Sequence, residues 1–144
     1  MKIKLFFLNI LLLFSCKENI NKGTSSNQVL FTLLDPKSTG VDFNNKIKET
    51  TEEHLGTFNY IYNGAGVALI DINNDGLQDI YFTGNQVRDK LYLNKGGFKF
   101  EDISHAAGID QFVGWHNSVS TCDINNDGFM DLYICSGGYK NTNI

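Results

Sequence analysis

Residues 71–79 read Asp-Ile-Asn-Asn-Asp-Gly-Leu-Gln-Asp, and residues 123–131 read Asp-Ile-Asn-Asn-Asp-Gly-Phe-Met-Asp. The first six residues of these two stretches are identical, and the copies lie 52 residues apart (123 − 71 = 52). Stacked repeat units recur at periods of about 20–50 residues. An identity of this length at this spacing therefore indicates an internal repeat, and two related structural units are expected.

The chemistry of each stretch indicates a calcium loop. Side-chain oxygens at positions one, three, five and nine can surround one hard cation, and the backbone carbonyl of position seven, with water, completes the roughly six to eight oxygens that calcium takes. Magnesium fits less well because it requires a near-octahedral shell. Gly76 and Gly128 lie at position six, where the loop must turn sharply and a Cβ is expected to obstruct it. The predicted ligands are Asp71, Asn73, Asp75, Leu77 and Asp79 in the first loop and Asp123, Asn125, Asp127, Phe129 and Asp131 in the second.

The surrounding sequence distinguishes these loops from an EF-hand. An EF-hand requires a ligand at position twelve, where this chain has Phe82 and Ile134. The segments after the loops, 79–83 and 131–135, are β-branched and aromatic, which favours strands over helices. Each loop therefore reads as the connection of a β-hairpin. The alternative is an Asn/Asp/Gly-rich turn that binds no metal, but such a turn does not require carboxylates at positions one, five and nine.

With these residues in view, the segment 66–85, Gly-Val-Ala-Leu-Ile-Asp-Ile-Asn-Asn-Asp-Gly-Leu-Gln-Asp-Ile-Tyr-Phe-Thr-Gly-Asn, resembles the FG-GAP, or VCBS, repeat of calcium-binding β-propellers. Such repeats also occur in integrin α-subunits. The segments 90–94, 96–103 and 106–109 resemble a subgroup of bacterial secreted proteins that often carry an ASPIC/UnbV domain, which is not visible here. The resemblance covers about residues 30–140. It implies a calcium-stabilised propeller.

The expected fold class is all-β, a partial β-propeller of about one and a half four-stranded blades with the calcium loops in its hairpins. A segment at 38–43 is expected to be extended, and 44–57 to form a loop or a short irregular helix. Since propellers need about four to eight blades, the chain is expected to be the N-terminal piece of a longer protein. The repeat region is expected to cover residues 30–144. It should contain one repeat at about 60–110 and a second, incomplete repeat at 112–144. Strands are expected near 66–70, 79–83, 90–94, 98–103, 118–122 and 131–135.

The N-terminal residues have the composition of a lipoprotein leader. Two lysines precede a short apolar core, which is too short to span a bilayer comfortably, and Leu-Phe-Ser-Cys at 13–16 resembles a lipobox. Residues 1–15 are therefore predicted to be a signal peptide and Cys16 the lipidated residue. A plain signal peptide with an incidental cysteine is the alternative. Residues 16–29 are polar and are expected to form a flexible tether.

The remaining chemically notable residues do not form a recognisable catalytic set. His54, His105 and His116 are scattered along the sequence. Trp115, beside His116, could contact a sugar or simply pack in the protein. The aspartates of the two loops could be the acid and base carboxylates of a glycosidase, although calcium binding explains their spacing better. A hairpin pairing 122 with about 132 would put Cys122 and Cys135 on opposite faces, so two buried free thiols are expected.

The expected function is that of a binding module without enzymatic activity. It would be lipid-anchored in the cell envelope, at the outer membrane or cell surface, and would bind an unknown protein or glycan, with calcium in a structural role. The alternative is the N-terminal part of a secreted polysaccharide-acting enzyme whose catalytic residues lie beyond this chain. The net charge of −4 gives no footprint for nucleic acid, which is excluded as a partner.

Overall fold

The computed structural model describes residues 30–111 and 114–138. The chain divides into two units, Met1–Thr32 and Leu33–Ile144, and the helices and strands described here lie in the second. The predicted signal peptide, the lipidated Cys16 and the tether fall outside the described residues. The elements are, in order, α1 (Pro36–Thr39), β1 (Val67–Ile70), β2 (Asp79–Phe82), β3 (Lys90–Asn94), β4 (Phe100–Asp102), a 3₁₀ turn (Ile109–Gln111), β5 (His116–Cys122) and β6 (Asp131–Ser136).

The first four strands form one antiparallel sheet, called the first sheet, in the order β1-β2-β3-β4. The register places Ala68 opposite Tyr81 and Tyr81 opposite Leu91. These three buried residues therefore share one face of the sheet and form its core cluster. The side chains alternate between the two faces because successive residues of a strand point in opposite directions.

Strands β5 and β6 form the second sheet, which has two antiparallel strands in the described part of the chain. Its residues Val119, Leu132 and Ile134 pack against the core cluster of the first sheet. Their partial burial helps to hold the two sheets together, since apolar area removed from water contributes about 25 cal/mol per Å². This arrangement confirms the all-β class and is consistent with a partial propeller; no closed barrel is seen in the residues described.

The segment before β1 covers part of the opposite face of the first sheet. Phe43 stacks on Phe82, with ring centroids 4.8 Å apart and planes 13° apart. The hydroxyl of Tyr92 donates to Asp42 Oδ1 over 2.7 Å. Position twelve of the first loop, Phe82, is thus a packing residue.

The prediction of an extended segment at 38–43 was wrong at its start, because α1 occupies Pro36–Thr39. Asp35 caps this turn by accepting the Lys37 N–H over 3.0 Å. Pro36 lies in the first helical turn, where its missing N–H is not needed. Gly40, with φ +84°, ends the helix. Residues 44–57 contain no regular helix or strand, as the loop alternative predicted.

The two described cysteines are free, but both are exposed, which corrects the expectation of buried thiols. The expected separation on opposite faces was also wrong. Cys122 lies opposite Asp131, and Ser118 lies opposite Cys135. Both cysteines therefore share one face and are offset by four residues along it (122 − 118 = 4), or about 13 Å of strand. A disulfide cannot span that distance.

No helix in the described part of the chain is long and apolar enough to cross a lipid bilayer.

Candidate metal centre

The first loop is organised by carboxylates that accept hydrogen bonds from its own backbone. Asp71 Oδ1 accepts the N–H of Asp75 over 3.0 Å, and Asp71 Oδ2 accepts the N–H of Gly76 over 2.8 Å. Asp75 Oδ1 accepts the N–H of Leu77 over 2.8 Å. Asn73 joins the same group, because its Nδ2 donates to Asp75 Oδ2 over 2.9 Å. The residues at positions one, three and five are thus held around one turn.

The second loop repeats these hydrogen bonds atom for atom. Asp123 accepts the N–H groups of Asp127 and Gly128 over 3.0 and 2.9 Å. Asp127 Oδ1 accepts the N–H of Phe129 over 2.8 Å. Asn125 Nδ2 donates to Asp127 Oδ2 over 2.8 Å. The six identical residues therefore fold the same way in both places, as expected when local side-chain hydrogen bonds dictate the backbone path.

The aspartate at position nine plays a different part from the others. Asp79 is fully buried, and its Oδ2 accepts the N–H of Ile72 over 3.0 Å while its Oδ1 accepts the N–H of Asn94 in β3 over 2.7 Å. Asp131 makes the matching bond to the N–H of Ile124 over 2.9 Å. Asp79 thus ties its loop to the neighbouring strand as well as closing it.

Glycine at position six is explained by backbone conformation. Gly76 and Gly128 have φ values of +83° and +89°, a region that costs other L-residues about 1–2 kcal/mol. The prediction that a Cβ would be obstructed was wrong, because no atom lies within 4 Å of a Cβ added at either position. Sequence reasoning also missed Asn74 and Asn126, which adopt φ values of 56° and 58°. Asparagine is enriched at such left-handed positions, so the Asn-Asn-Asp-Gly pattern contained the signal.

The loop carboxylates are not neutralised by basic side chains. Among residues 30–111 and 114–138, the ion pairs involve Asp89, Glu101, Asp102 and Asp110, and none involves a carboxylate of either loop. Nor do these residues contain a group of three or more His, Cys, Asp or Glu side chains arranged as a metal site. The carboxylates of each loop instead bind backbone amides, and each oxygen retains a lone pair with which it could also bind a cation.

The two loops touch each other. Asn74 Nδ2 in the first loop donates to the carbonyl oxygen of Gly128 in the second loop over 3.3 Å. The loop that joins β1 to β2 therefore lies beside the loop that joins β5 to β6.

A buried polar junction, defined by Tyr81, Asp89 and His116, connects the sheets and was not anticipated from the sequence. The Tyr81 hydroxyl donates to Asp89 Oδ2 over 2.7 Å, and His116 Nδ1 lies 2.8 Å from both carboxylate oxygens. The N–H of Gly84 donates to Asp89 Oδ1 over 2.7 Å. Burial and the bond to Asp89 raise the pKa of Tyr81 well above its ordinary value.

The other residues considered for catalysis or sugar binding make packing contacts or local hydrogen bonds. Trp115 packs edge-to-face on Phe58, with ring centroids 5.1 Å apart, which favours the packing interpretation. His105 Nδ1 lies 2.9 Å from Asp110 Oδ2 on the surface. His54 Nδ1 accepts the N–H of Gly56 over 3.1 Å. The structure does not bring these histidines together around one pocket.

Comparison with known proteins gives the same repeat. Residues 71–134 match the model of the FG-GAP-like repeat, a segment that begins at the first loop and ends in β6. Integrin alpha-8 of Gallus gallus is 31% identical over 87 residues, which cover 51% of this chain and 8% of that protein. The chain thus spans less than a tenth of the length of this curated relative. No solved structure is significantly similar to the chain.

Proposed function

We propose that this chain is a calcium-stabilised FG-GAP-type interaction module, held at the cell envelope by a lipid on Cys16. The observation that carries the proposal is the duplicated loop, whose carboxylates make the same hydrogen bonds in both copies. FG-GAP-like repeats serve as interaction modules, and the matched segment contains both loops. The proposed partner is a protein or glycan, and calcium is proposed to be structural.

The donor set of each loop fits calcium. It supplies three carboxylates, one amide oxygen and one backbone carbonyl, which are the hard oxygen ligands that calcium prefers. A loop with charge −3 and no ion-pair partner among the described residues would be left at −1 by one Ca²⁺. The bound cation would offset the repulsion among the three carboxylates that it draws together from one loop. In the first loop the proposed ligands are Asp71, Asn73, Asp75, the Leu77 carbonyl and Asp79.

Calcium in these loops would act on the fold and not on a substrate. Each loop joins the two strands of a hairpin, and Asp79 also accepts a bond from β3. A cation bound by Asp79 and Asp71 would therefore fix the end of three neighbouring strands. Rigid sheets of this kind would present the surface loops in a constant arrangement to a partner.

The envelope location rests on the sequence of residues 1–29. A basic start, a short apolar core and the Leu-Phe-Ser-Cys tetrapeptide support export followed by lipidation of Cys16. Extracellular calcium concentrations suit low-affinity sites, since calcium modules outside the cell bind at about 10⁻⁴–10⁻³ M.

Isothermal titration of calcium into the full chain tests the metal assignment. The unmodified chain should bind two Ca²⁺, whereas Asp75→Ala and Asp127→Ala should each remove the site that contains the substitution. Gln78→Ala and Met130→Ala are matched controls at position eight, which supplies no proposed ligand. An equal loss of affinity in Gln78→Ala and Asp75→Ala would show that the ligand assignment is wrong.

The interaction role needs a separate assay. The calcium-loaded chain should be applied to glycan arrays and to arrays of purified surface proteins, with the Asp75→Ala/Asp127→Ala double variant as control. Binding that is saturable, calcium-dependent and absent from the double variant is expected. A chain that binds calcium but no partner under any of these conditions would contradict the interaction role and leave the metal sites intact.

A further inference from the structure

We propose that Asn74 is a positioning residue for the second calcium loop, so that the first repeat raises the calcium affinity of the second. The inference rests on the proposed calcium role of the loops. Its basis is a hydrogen bond between the two loops, from Asn74 Nδ2 to the Gly128 carbonyl.

The peptide unit that receives this bond lies beside a proposed ligand. The Gly128 carbonyl and the Phe129 N–H belong to the same planar unit. The carbonyl of this unit accepts a hydrogen bond from Asn74 Nδ2 over 3.3 Å, and its N–H donates to Asp127 Oδ1 over 2.8 Å. The next carbonyl along the chain is that of Phe129, the proposed backbone ligand. Fixing the plane of the preceding peptide restricts the direction in which this carbonyl points.

Asn74 is suited to this contact by its own conformation. With φ at 56°, it lies in the left-handed region, at the tip of the first loop. The side chain is not among the proposed ligands of its own loop, which are at positions one, three, five, seven and nine. It is also uncharged, so its removal changes the orientation of the second loop without changing the charge of either site.

The contact is not reciprocated. Asn126 occupies the same position in the second loop with nearly the same φ, 58°. Within the residues that the structure describes, no hydrogen bond links its side chain to the first loop. The two asparagines thus share sequence context and backbone conformation and differ in the bond across the loops, which makes Asn126 the matched control.

Site-resolved titration tests the inference on the full chain. Asp75→Ala empties the first loop, so that the dissociation constant for Ca²⁺ then reports the second loop alone; Asp127→Ala isolates the first loop in the same way. Asn74→Gly, which retains the positive φ without the donor, is added to the Asp75→Ala chain. Asn126→Gly is added to the Asp127→Ala chain.

Asn74→Gly should weaken calcium binding at the second loop about twofold to tenfold, the change expected from one neutral hydrogen bond. Asn126→Gly should leave the affinity of the first loop unchanged. In chelator both glycine variants should still unfold cooperatively, and Asn74→Gly should lose no more stability than one neutral hydrogen bond contributes, about 0.5–1.5 kcal/mol, which separates positioning from loss of folding. Equal effects of the two glycine substitutions, or no effect of either, would overturn the inference while calcium binding stood. Absence of calcium binding in the unmodified chain would instead refute the proposed function.

Discussion

Removal of the Asp89 carboxylate should destabilise the protein more than any other single change in the polar junction. Asp89 is 1% exposed and accepts hydrogen bonds from the Tyr81 hydroxyl and the Gly84 N–H, each over 2.7 Å. It also lies 2.8 Å from Nδ1 of His116, which is the first residue of β5. One carboxylate therefore joins the first sheet to the first strand of the second.

The magnitude follows from what Asp89→Ala leaves behind. Three polar groups lose their partner in the protein interior, and each unsatisfied buried group costs about 1–3 kcal/mol. Relaxation and water entry reduce the sum, and removal of one partner from a buried pair typically costs about 3–5 kcal/mol. Because a domain of this size is stable by about 5–15 kcal/mol, Asp89→Ala should lose a large part of its stability.

Urea unfolding of a double-mutant cycle measures the effect. Tyr81→Phe alone should cost about 1.5–3 kcal/mol, since it removes a hydrogen bond to a charged group. In the Asp89→Ala chain the same substitution removes an unpartnered hydroxyl and should be neutral or stabilising. A coupling energy above about 1 kcal/mol is therefore expected. A cost below about 1 kcal/mol for Asp89→Ala, or additive effects in the cycle, would refute the structural role of the junction.

Three further outcomes are expected. Burial and hydrogen bonds to aspartates raise the pKa of Tyr81 and Tyr92 above the ordinary 10.0. The unfolded chain therefore releases these protons at lower pH than the folded chain does. Above about pH 10, each tyrosine should lower the free energy of unfolding by about 1.4 kcal/mol per pH unit. Equilibrium unfolding of the Tyr→Phe variants should show a smaller dependence of this free energy on pH. Gly76→Ala should cost about 1–2 kcal/mol from its φ alone, whereas Gly66→Ala should cost more, because its Cβ would lie 2.7 Å from a backbone nitrogen of β5; equal thermal shifts would contradict this. Cys16→Ser should abolish incorporation of labelled fatty acid and release the protein from membranes, and unchanged membrane association would show that lipidation does not anchor it.

Local chemistry explains why the sequence predicted the hairpins so closely. The structure places strands at Val67–Ile70 and Asp79–Phe82, against predictions of 66–70 and 79–83. Both loops contain Asp and Asn side chains that bind the loop's own backbone, so their conformation needs no distant partner. The strands that flank them have the β-branched and aromatic residues that fit a pleated, half-buried surface.

The strand register and the long-range contacts could not be predicted from the local sequence pattern. The prediction paired Cys122 with about 132, whereas the structure pairs it with Asp131. A slip of one residue reverses the face of every side chain on a strand, which explains why the predicted faces of Cys122 and Cys135 were wrong. The Asp89–His116 contact joins residues 27 apart, and nothing in either local sequence specifies that pairing. The predicted extended segment at 38–43 instead starts inside a helical turn, Pro36–Thr39, because Asp35 supplies an N-cap.

Thermal melts of the full chain in millimolar calcium, in millimolar magnesium and in chelator test most directly whether the duplicated loops are calcium sites. At dissociation constants of about 10⁻⁴–10⁻³ M, millimolar calcium should stabilise the fold by about 0.4–1.4 kcal/mol per site. Two sites should therefore raise the melting temperature by several degrees over chelator, and magnesium should raise it less. The Asp75→Ala/Asp127→Ala double variant should show no calcium shift. Coincident curves for the unmodified chain in calcium and chelator would contradict the assignment of these loops as calcium sites.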